Sequence, residues 1–238
     1  MTKLSVNVNK VAVLRNSRGG NIPNLLQVAR DIESFGADGI TVHPRPDARH
    51  IRYSDVYELK SNIVTELNIE GNPIPSFQNL VLDVVPTQVT LVPDAENAIT
   101  SSAGWDVRNN FGFLKDVTAE FQKKGIRVSI FVDPDEEQVR EAARLGADRV
   151  ELYTEAFASG YLSCPQKAIE KYLRAAIAAR ECKLGLNAGH DLSLVNLKFF
   201  HDTIPFCDEV SIGHALISDA LYLGLRETIA RYKKCLDE

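Results

Sequence analysis

The chain has 238 residues, 45% of them hydrophobic, and its 27 Lys and Arg against 32 Asp and Glu give a formal net charge of −5. That length supports one substantial core, while the acidic balance, with a pI near 5.6, excludes the net positive face that a nucleic-acid backbone or an anionic membrane surface requires. Any anionic ligand must therefore be held by a local cluster of cations.

The N-terminal stretch "MTKLSVNVNKVAVLRN" is too polar for a signal sequence or a membrane span. Within it "LSVNVN" (4–9) is the first of eight short strand-like runs, leading to "LRNSRGG", read as a loop that supplies Arg15 and Arg18. The helix "NLLQVARDIESFG" follows, then the strand "DGITVH" (38–43) and a basic segment, "HPRPDARHIR", with Arg45, Arg49, His50 and Arg52. Next come "ELNIE" (66–70) and "QVTLV" (88–92), the helix "VRNNFGFLKDVTAEFQKKG", "IRVSIFV" (126–132), the helix "DEEQVREAARLG" and "RVELY" (149–153). The helix "PQKAIEKYLRAAIAARE", "KLGLNA" (183–188) and "EVSIG" (209–213), which runs on into a helical "HALISDAL", complete the series. In the helices apolar residues recur three and four apart, and Gly often ends the run.

Eight strands alternating with helices predict an α/β fold, a (β/α)₈ TIM barrel formed as a single domain over residues 1–238. The strand pattern supports it independently. One phase is aliphatic (Val6, Ile40, Val42, Leu67, Ile69, Val89, Val128, Val150, Val210) and the other mixed or polar (Asn7, Asn9, Thr41, His43, Asn68, Glu70, Thr90, Ser129, Glu151, Ser211). An open sheet covered by helices on both faces would be apolar in both phases. A barrel can pack its aliphatic phase on the outer helices and converge the polar phase on one mouth, at the C-terminal strand ends.

Several residues at those ends suit chemistry. Gly213-His214, at a strand-to-helix junction, offers free backbone N–H groups and close approach for a phosphate; a tight turn with a His as first helical residue is an equal alternative. Two groups of cations near one mouth, Arg15 with Arg18 and Arg45 with Arg49, His50 and Arg52, imply substrates carrying two phosphates. Glu70 and Glu151 lie in the inward phase, where burial and neighbouring cations tune a carboxyl for acid-base work, although an ion pair with an inward Arg would explain Glu151 equally. His43 and His190 end their strands and could move protons near neutral pH, whereas His201, within a helix, reads as a surface or packing residue. Nothing in the spacing supports a metal site. Cys164, Cys182, Cys207 and Cys235 show no CxxC spacing and read as free thiols of a cytoplasmic protein.

The segments "VNVNKVAVLRNSRGG", "GADGITVHPRPDARHI", "LNIEG", "GADRVELYT", "LNAGHDL" and "SIGHALI" occur in the order and register of the pyridoxine 5′-phosphate synthase family, which the chain resembles over almost its whole length. The resemblance implies a barrel with additional short helices, assembled as an octamer built from dimers. It implies condensation of 1-deoxy-D-xylulose 5-phosphate with 3-amino-2-oxopropyl phosphate to pyridoxine 5′-phosphate, inorganic phosphate and water, with no organic cofactor. On this sequence the implied general bases are His43 and Glu70 and the general acid is His190, with Glu151 stabilising the transition state. Sugar-phosphate contacts are implied for Arg45, His50 and Thr100, and amino-ketone phosphate contacts for Asn7, Arg18, Asp191, Gly213 and His214. Thr100 lies in "PDAENAITSSAGWD", a long loop that reads as a water-excluding lid. The chain departs from the family at Asn9-Lys10, where many members carry Asp-His. Two alternatives stand beside this reading: a phosphosugar aldolase or epimerase, which needs a Schiff-base Lys or a metal, and a non-catalytic phosphate-binding protein.

Overall fold

Alternating β-branched residues and well-signalled helix ends produce a regular succession of strand and helix. In chain order the elements are β1 (Lys3–Asn7), α1 (Asn9–Asn16), α2 (Leu25–Ser34), β2 (Gly39–Val42), α3 (Tyr53–Asn62), β3 (Glu66–Gly71), α4 (Pro75–Val84), β4 (Gln88–Leu91), α5 (Phe111–Gln122) and β5 (Arg127–Val132). They continue with α6 (Glu136–Leu145), β6 (Arg149–Tyr153), α7 (Glu155–Tyr161), α8 (Pro165–Glu181), β7 (Gly185–Gly189), α9 (Leu197–Thr203), β8 (Glu209–Ile212), α10 (His214–Leu223) and α11 (Leu225–Leu236). The computed structural model describes residues 1–94 and 103–237. All eight strands are parallel and pair in sequence order, with β8 closing on β1, so the expected (β/α)₈ barrel is what forms.

Local chemistry explains the helix ends. Asn24 caps α2 by accepting the Gln27 N–H at 2.8 Å, and Asp135 caps α6 by accepting those of Glu137 and Gln138 at 2.8 and 3.1 Å. Pro75 and Pro165 open α4 and α8, where a missing N–H costs nothing. Gly146 ends α6 at φ 95, a left-handed turn that a Cβ would strain.

The two strand phases divide as the pattern predicts. Val6, Ile40, Ile69, Val89, Val128, Leu152 and Ile212 are fully buried against the helix layer, where Ala29, Ile32, Leu114, Val139 and Ala175 meet them in one core. The opposite phase lines the interior, where part of it is bonded laterally: Ser5 Oγ and Thr41 Oγ1 lie 2.6 Å apart, Asn68 Nδ2 donates to Thr41 at 3.4 Å, and Thr90 Oγ1 donates to Asn68 Oδ1 at 3.2 Å. Charges close the N-terminal end. Glu66 pairs with both Lys3 and Arg127, Arg149 reaches Glu209 at 3.2 Å and Asn187 at 2.9 Å, and Gln88 bridges Arg127 and Glu209 at 2.8 and 3.3 Å.

Two local expectations are corrected. The first strand ends at Asn7, two residues early, and α1 begins at Asn9, because Asn7 Oδ1 accepts the Asn9 N–H at 3.0 Å and turns the chain into the helix. Asn9 is therefore a helix-start residue, and Lys10 stands exposed on α1. The presumed loop holding Arg15 is the end of that helix, and Arg15 is only 3% exposed, its Nη1 and Nη2 on the Asp55 carboxylate at 2.8 and 2.9 Å. Arg15 is thus a structural cation. His201 is a packing residue, 7% exposed, with Nδ1 3.2 Å from Thr2 Oγ1.

Candidate active site

The C-terminal ends of the strands assemble the inward polar phase into one recess, lined by Asn7, Glu70, Val92, Phe131, Glu151, His190 and Ser211. A neighbouring recess holds His43, Arg45, Asn72 and Asp94 among Pro44, Pro46, Tyr53, Ile74 and Phe77. The His43 and His50 rings stand edge to face with centroids 6.2 Å apart. Among the sequence candidates, Asn7, Glu70, Glu151 and His190 thus share one cavity, and His43, Arg45 and His50 form its flank. Thr100 and most of the lid reading lie outside the described residues.

Glu70 accepts from Asn7 Nδ2 at 3.3 Å and from Ser211 Oγ at 3.5 Å. Burial pushes its carboxyl up to about 7, with Asp94 and Glu209 adding to the shift and the His190 charge opposing it. Glu151, 3% exposed, has Thr90 Oγ1 at 3.4 Å and, among the described residues, no arginine in an ion pair with it; Arg149, two residues earlier on β6, pairs with Glu209. Burial and then the negative charges of Glu70 and Glu209 push Glu151 well above the carboxylate range. A structural ion pair therefore does not explain it.

The two histidines are driven in opposite directions. Burial first, then Arg45, His50, His190 and Arg49, hold His43 well below the usual 6.5. For His190 burial also pulls downward, but the Asp191 carboxylate 3.2 Å from Nδ1, with Glu70 and Asp94, outweighs it and raises the ring above 6.5. His190 adopts φ 73, a left-handed backbone uncommon for a residue with a Cβ. That turn is pinned by Thr154, whose Oγ1 donates to Gly189 O and accepts the Asp191 N–H at 3.1 Å, and the ring meets Tyr153 edge-on at 5.9 Å.

The phosphate-holding candidates are spread over several elements. Gly213 precedes α10, whose first turn holds no acidic residue and begins with exposed His214; a Cβ at Gly213 would stand 3.0 Å from the Asn7 Cβ, so a larger residue would require the Asn7 side chain to shift by a few tenths of an ångström. Arg18 is exposed just past α1. Arg45, 5% exposed, is ion-paired with Asp94, whose backbone O accepts from Asn72 at 2.8 Å. His50 is lowered to about 4, by burial first and then Arg45 and Arg49; its Nδ1 accepts the Ile51 N–H at 2.9 Å, leaving Nε2 as the protonated nitrogen. Arg49 pairs with Asp47 and Arg52 reaches Asn16.

Sequence reasoning missed Asp94 and Thr154. Each carried one usable signal: like His43 and His190, both follow directly or closely on the end of an inward-facing strand. The aldolase alternative needs a Schiff-base lysine within the barrel or a metal, and the one lysine in the described strands, Lys3, is tied to Glu66 at the far end of the barrel. Among the described residues no group of three His, Cys, Asp or Glu is arranged to hold a metal ion, and no helix is long and apolar enough to cross a membrane.

Comparison with known proteins identifies the fold and the family. Solved structures of similar fold include phosphoribosyl anthranilate isomerase from Thermotoga maritima, TM-score 0.63 at 13% identity over 99% of this chain and 98% of that one. Another is 3-keto-L-gulonate-6-phosphate decarboxylase from Vibrio cholerae, TM-score 0.67 at 10% identity over 99% and 97%. At such identities they show the barrel alone. Curated pyridoxine 5′-phosphate synthases are far closer: that of Bacteroides fragilis is 64% identical over 99% of this chain and 100% of its own length, and that of Phocaeicola vulgatus 62% identical over 99% of each. The family model described as pyridoxal phosphate biosynthesis protein PdxJ matches residues 4–238. With that span matched and relatives above 60% identity end to end, the chain belongs to the PdxJ family.

Proposed function

We propose that this chain condenses 1-deoxy-D-xylulose 5-phosphate with 3-amino-2-oxopropyl phosphate to pyridoxine 5′-phosphate, releasing inorganic phosphate and water. The observation that carries the reading is the pair of oppositely shifted histidines flanking two buried carboxyls, because divergent environments assign acid and base. His43, held neutral, and Glu70, poised near 7, serve as bases; His190, favoured as the imidazolium, serves as the acid. Glu151, kept protonated by burial, donates a hydrogen bond to oxygen charge that develops in the transition state.

The amine of the second substrate attacks the sugar ketone to form an imine, and the eliminations and aldol-type closure that follow each move a proton to or from carbon or oxygen. Glu70, Glu151 and His190 line one recess and His43 the next, an arrangement that suits that sequence of steps. Gly213 and His214 at the start of α10, with Asn7, Arg18 and Asp191, receive the amino-ketone phosphate; Arg45, His50 and Thr100 receive the sugar phosphate. Lys10 stands exposed on α1, which favours an imine nitrogen supplied by substrate and not by protein. Exposed Leu221 (77%) and Tyr222 (90%) on α10 supply apolar surface for the dimers of an octamer, and a cytoplasmic location fits described residues that hold no helix long and apolar enough to cross a membrane.

The direct test is incubation with both substrates while following pyridoxine phosphate absorbance and released phosphate; unchanged substrates overturn the reading. The pH profile is a second prediction. Glu70 acts as a base only when ionised, so kcat/KM should climb as pH rises through about 7, and His190 acts as an acid only when protonated, so it should fall again on the alkaline side. A flat profile between about pH 5 and 9 is incompatible with these roles. A third prediction separates the phosphate sites: Arg45→Ala or His50→Ala should weaken the sugar phosphate chiefly, and equal loss for both ligands in titrations would show the sites misassigned.

A further inference from the structure

One run of hydrogen bonds joins Glu70 to His43 through residues of the first strand-to-helix turn. Asn7 Nδ2 donates to Glu70 Oε2 at 3.3 Å, Asn7 Oδ1 accepts the Asn9 backbone N–H at 3.0 Å, and Asn9 Oδ1 accepts the His43 backbone N–H at 2.9 Å. The strand ladder cannot hold His43. Pairing of β1 with β2 stops at Asn7 and Thr41, and β2 itself ends at Val42, so the His43 N–H has passed the last ladder position and takes a side chain as its acceptor. His43 is only 7% exposed, and a buried N–H without a partner is costly enough to shift the backbone.

We infer that Asn9 is a positioning residue for ring formation: its Oδ1 fixes the His43 backbone, and with Asn7 it sets the two bases in one frame. This rests on the synthase reading above. Asn9 acts through His43 and does not touch the reacting atoms. Its contribution is the acceptor oxygen alone, so a carboxylate at this position would serve and a methyl would not. Displacing a catalytic group by a fraction of an ångström to 1 Å lowers the rate of chemistry more than the affinity for substrate.

The test compares Asn9→Ala with Asn9→Asp in the full-length enzyme, measuring kcat, both KM values and hydrogen exchange at the His43 amide. Asn9→Ala should lower kcat roughly tenfold or more while both KM values stay within about twofold, and its His43 amide should exchange faster than in wild type. Asn9→Asp should restore both the rate and the protection. The inference is overturned by wild-type kcat in Asn9→Ala, by Asn9→Asp as slow as Asn9→Ala, or by a raised KM for the sugar phosphate at unchanged kcat, which would make Asn9 a binding residue. Unaltered His43 exchange in Asn9→Ala overturns it as well. A wild-type protein that forms no pyridoxine phosphate sinks the synthase reading instead, and the hydrogen-bond relay then stands or falls on the exchange rates.

Discussion

Glu70→Gln is expected to leave the fold intact and to lower turnover by roughly 10²-fold or more. The amide is nearly isosteric, so the strand and the recess around it need no rearrangement. The chemistry changes in two ways. A carboxyl that burial holds near 7 can take a proton and return it at neutral pH, and an amide cannot. In addition, Asn7 Nδ2 and Ser211 Oγ both donate toward Glu70 oxygens, and Gln keeps only one acceptor for the two of them. The acid limb of the pH profile should disappear together with the rate. Circular dichroism establishes folding and steady-state assays with both substrates give kcat; near wild-type turnover in a folded variant removes Glu70 from the mechanism.

Arg15→Met is expected to cost about 3–5 kcal/mol of stability, the usual penalty for deleting one partner of a buried ion pair. The guanidinium is 3% exposed, and both of its terminal nitrogens meet Asp55, whose carboxylate is left in the core with little more than the Arg52 N–H at 2.8 Å. For a chain of this size each kcal/mol lowers Tm by about 2–4 °C, so a fall of roughly 6–20 °C should appear in a thermal melt. Function should suffer too. Arg15 Nη2 also donates to the His50 carbonyl at 3.2 Å, beside Asn16 Nδ2 at 2.8 Å, so the loop carrying His50 loosens and the KM for the sugar phosphate rises. Pairing the change with Asp55→Leu should recover part of the lost stability, since no charge is then stranded. A Tm within about 2 °C of wild type in the single variant would show that the pair is not structural.

The barrel was legible because its two signals are redundant. Alternation of strand and helix and the split into aliphatic and polar phases each point to it, and Ile40, Ile69 and Val128 on one side with Thr41, Asn68 and Thr90 on the other fall where that split puts them. Glu70, Glu151 and His190 were findable for the same reason: strand phase and strand end locate them. Arg15 was not. Periodicity around "LRNSRGG" does not reveal that Asp55, 40 positions on, waits in the core, and a pairing of that range exists only once the fold is closed. The end of β1 was missed because the residue that terminates it, Asn7, does so with a side-chain oxygen aimed at its own backbone two residues later. Nor does alternation show that Arg45 is matched to Asp94 or that Thr154 braces the His190 turn, both tertiary facts.

The charged layer at the N-terminal end of the barrel constrains how the sequence can drift. Lys3, Glu66, Arg127, Glu209 and Arg149 share partners across five strands, with Glu66 serving two cations and Glu209 also serving two. Replacing either glutamate leaves two cations short of a partner, whereas coordinated replacements need not, so effects within the layer should be non-additive. A double-mutant cycle on Arg149 and Glu209, the most buried pair of the layer, should return a sizeable coupling energy, and single changes at Glu209 should be tolerated least. Viable solutions should surface most readily when several change at once, which makes this layer an epistatic lock between the lineages that carry it and any that fill the same space with apolar side chains.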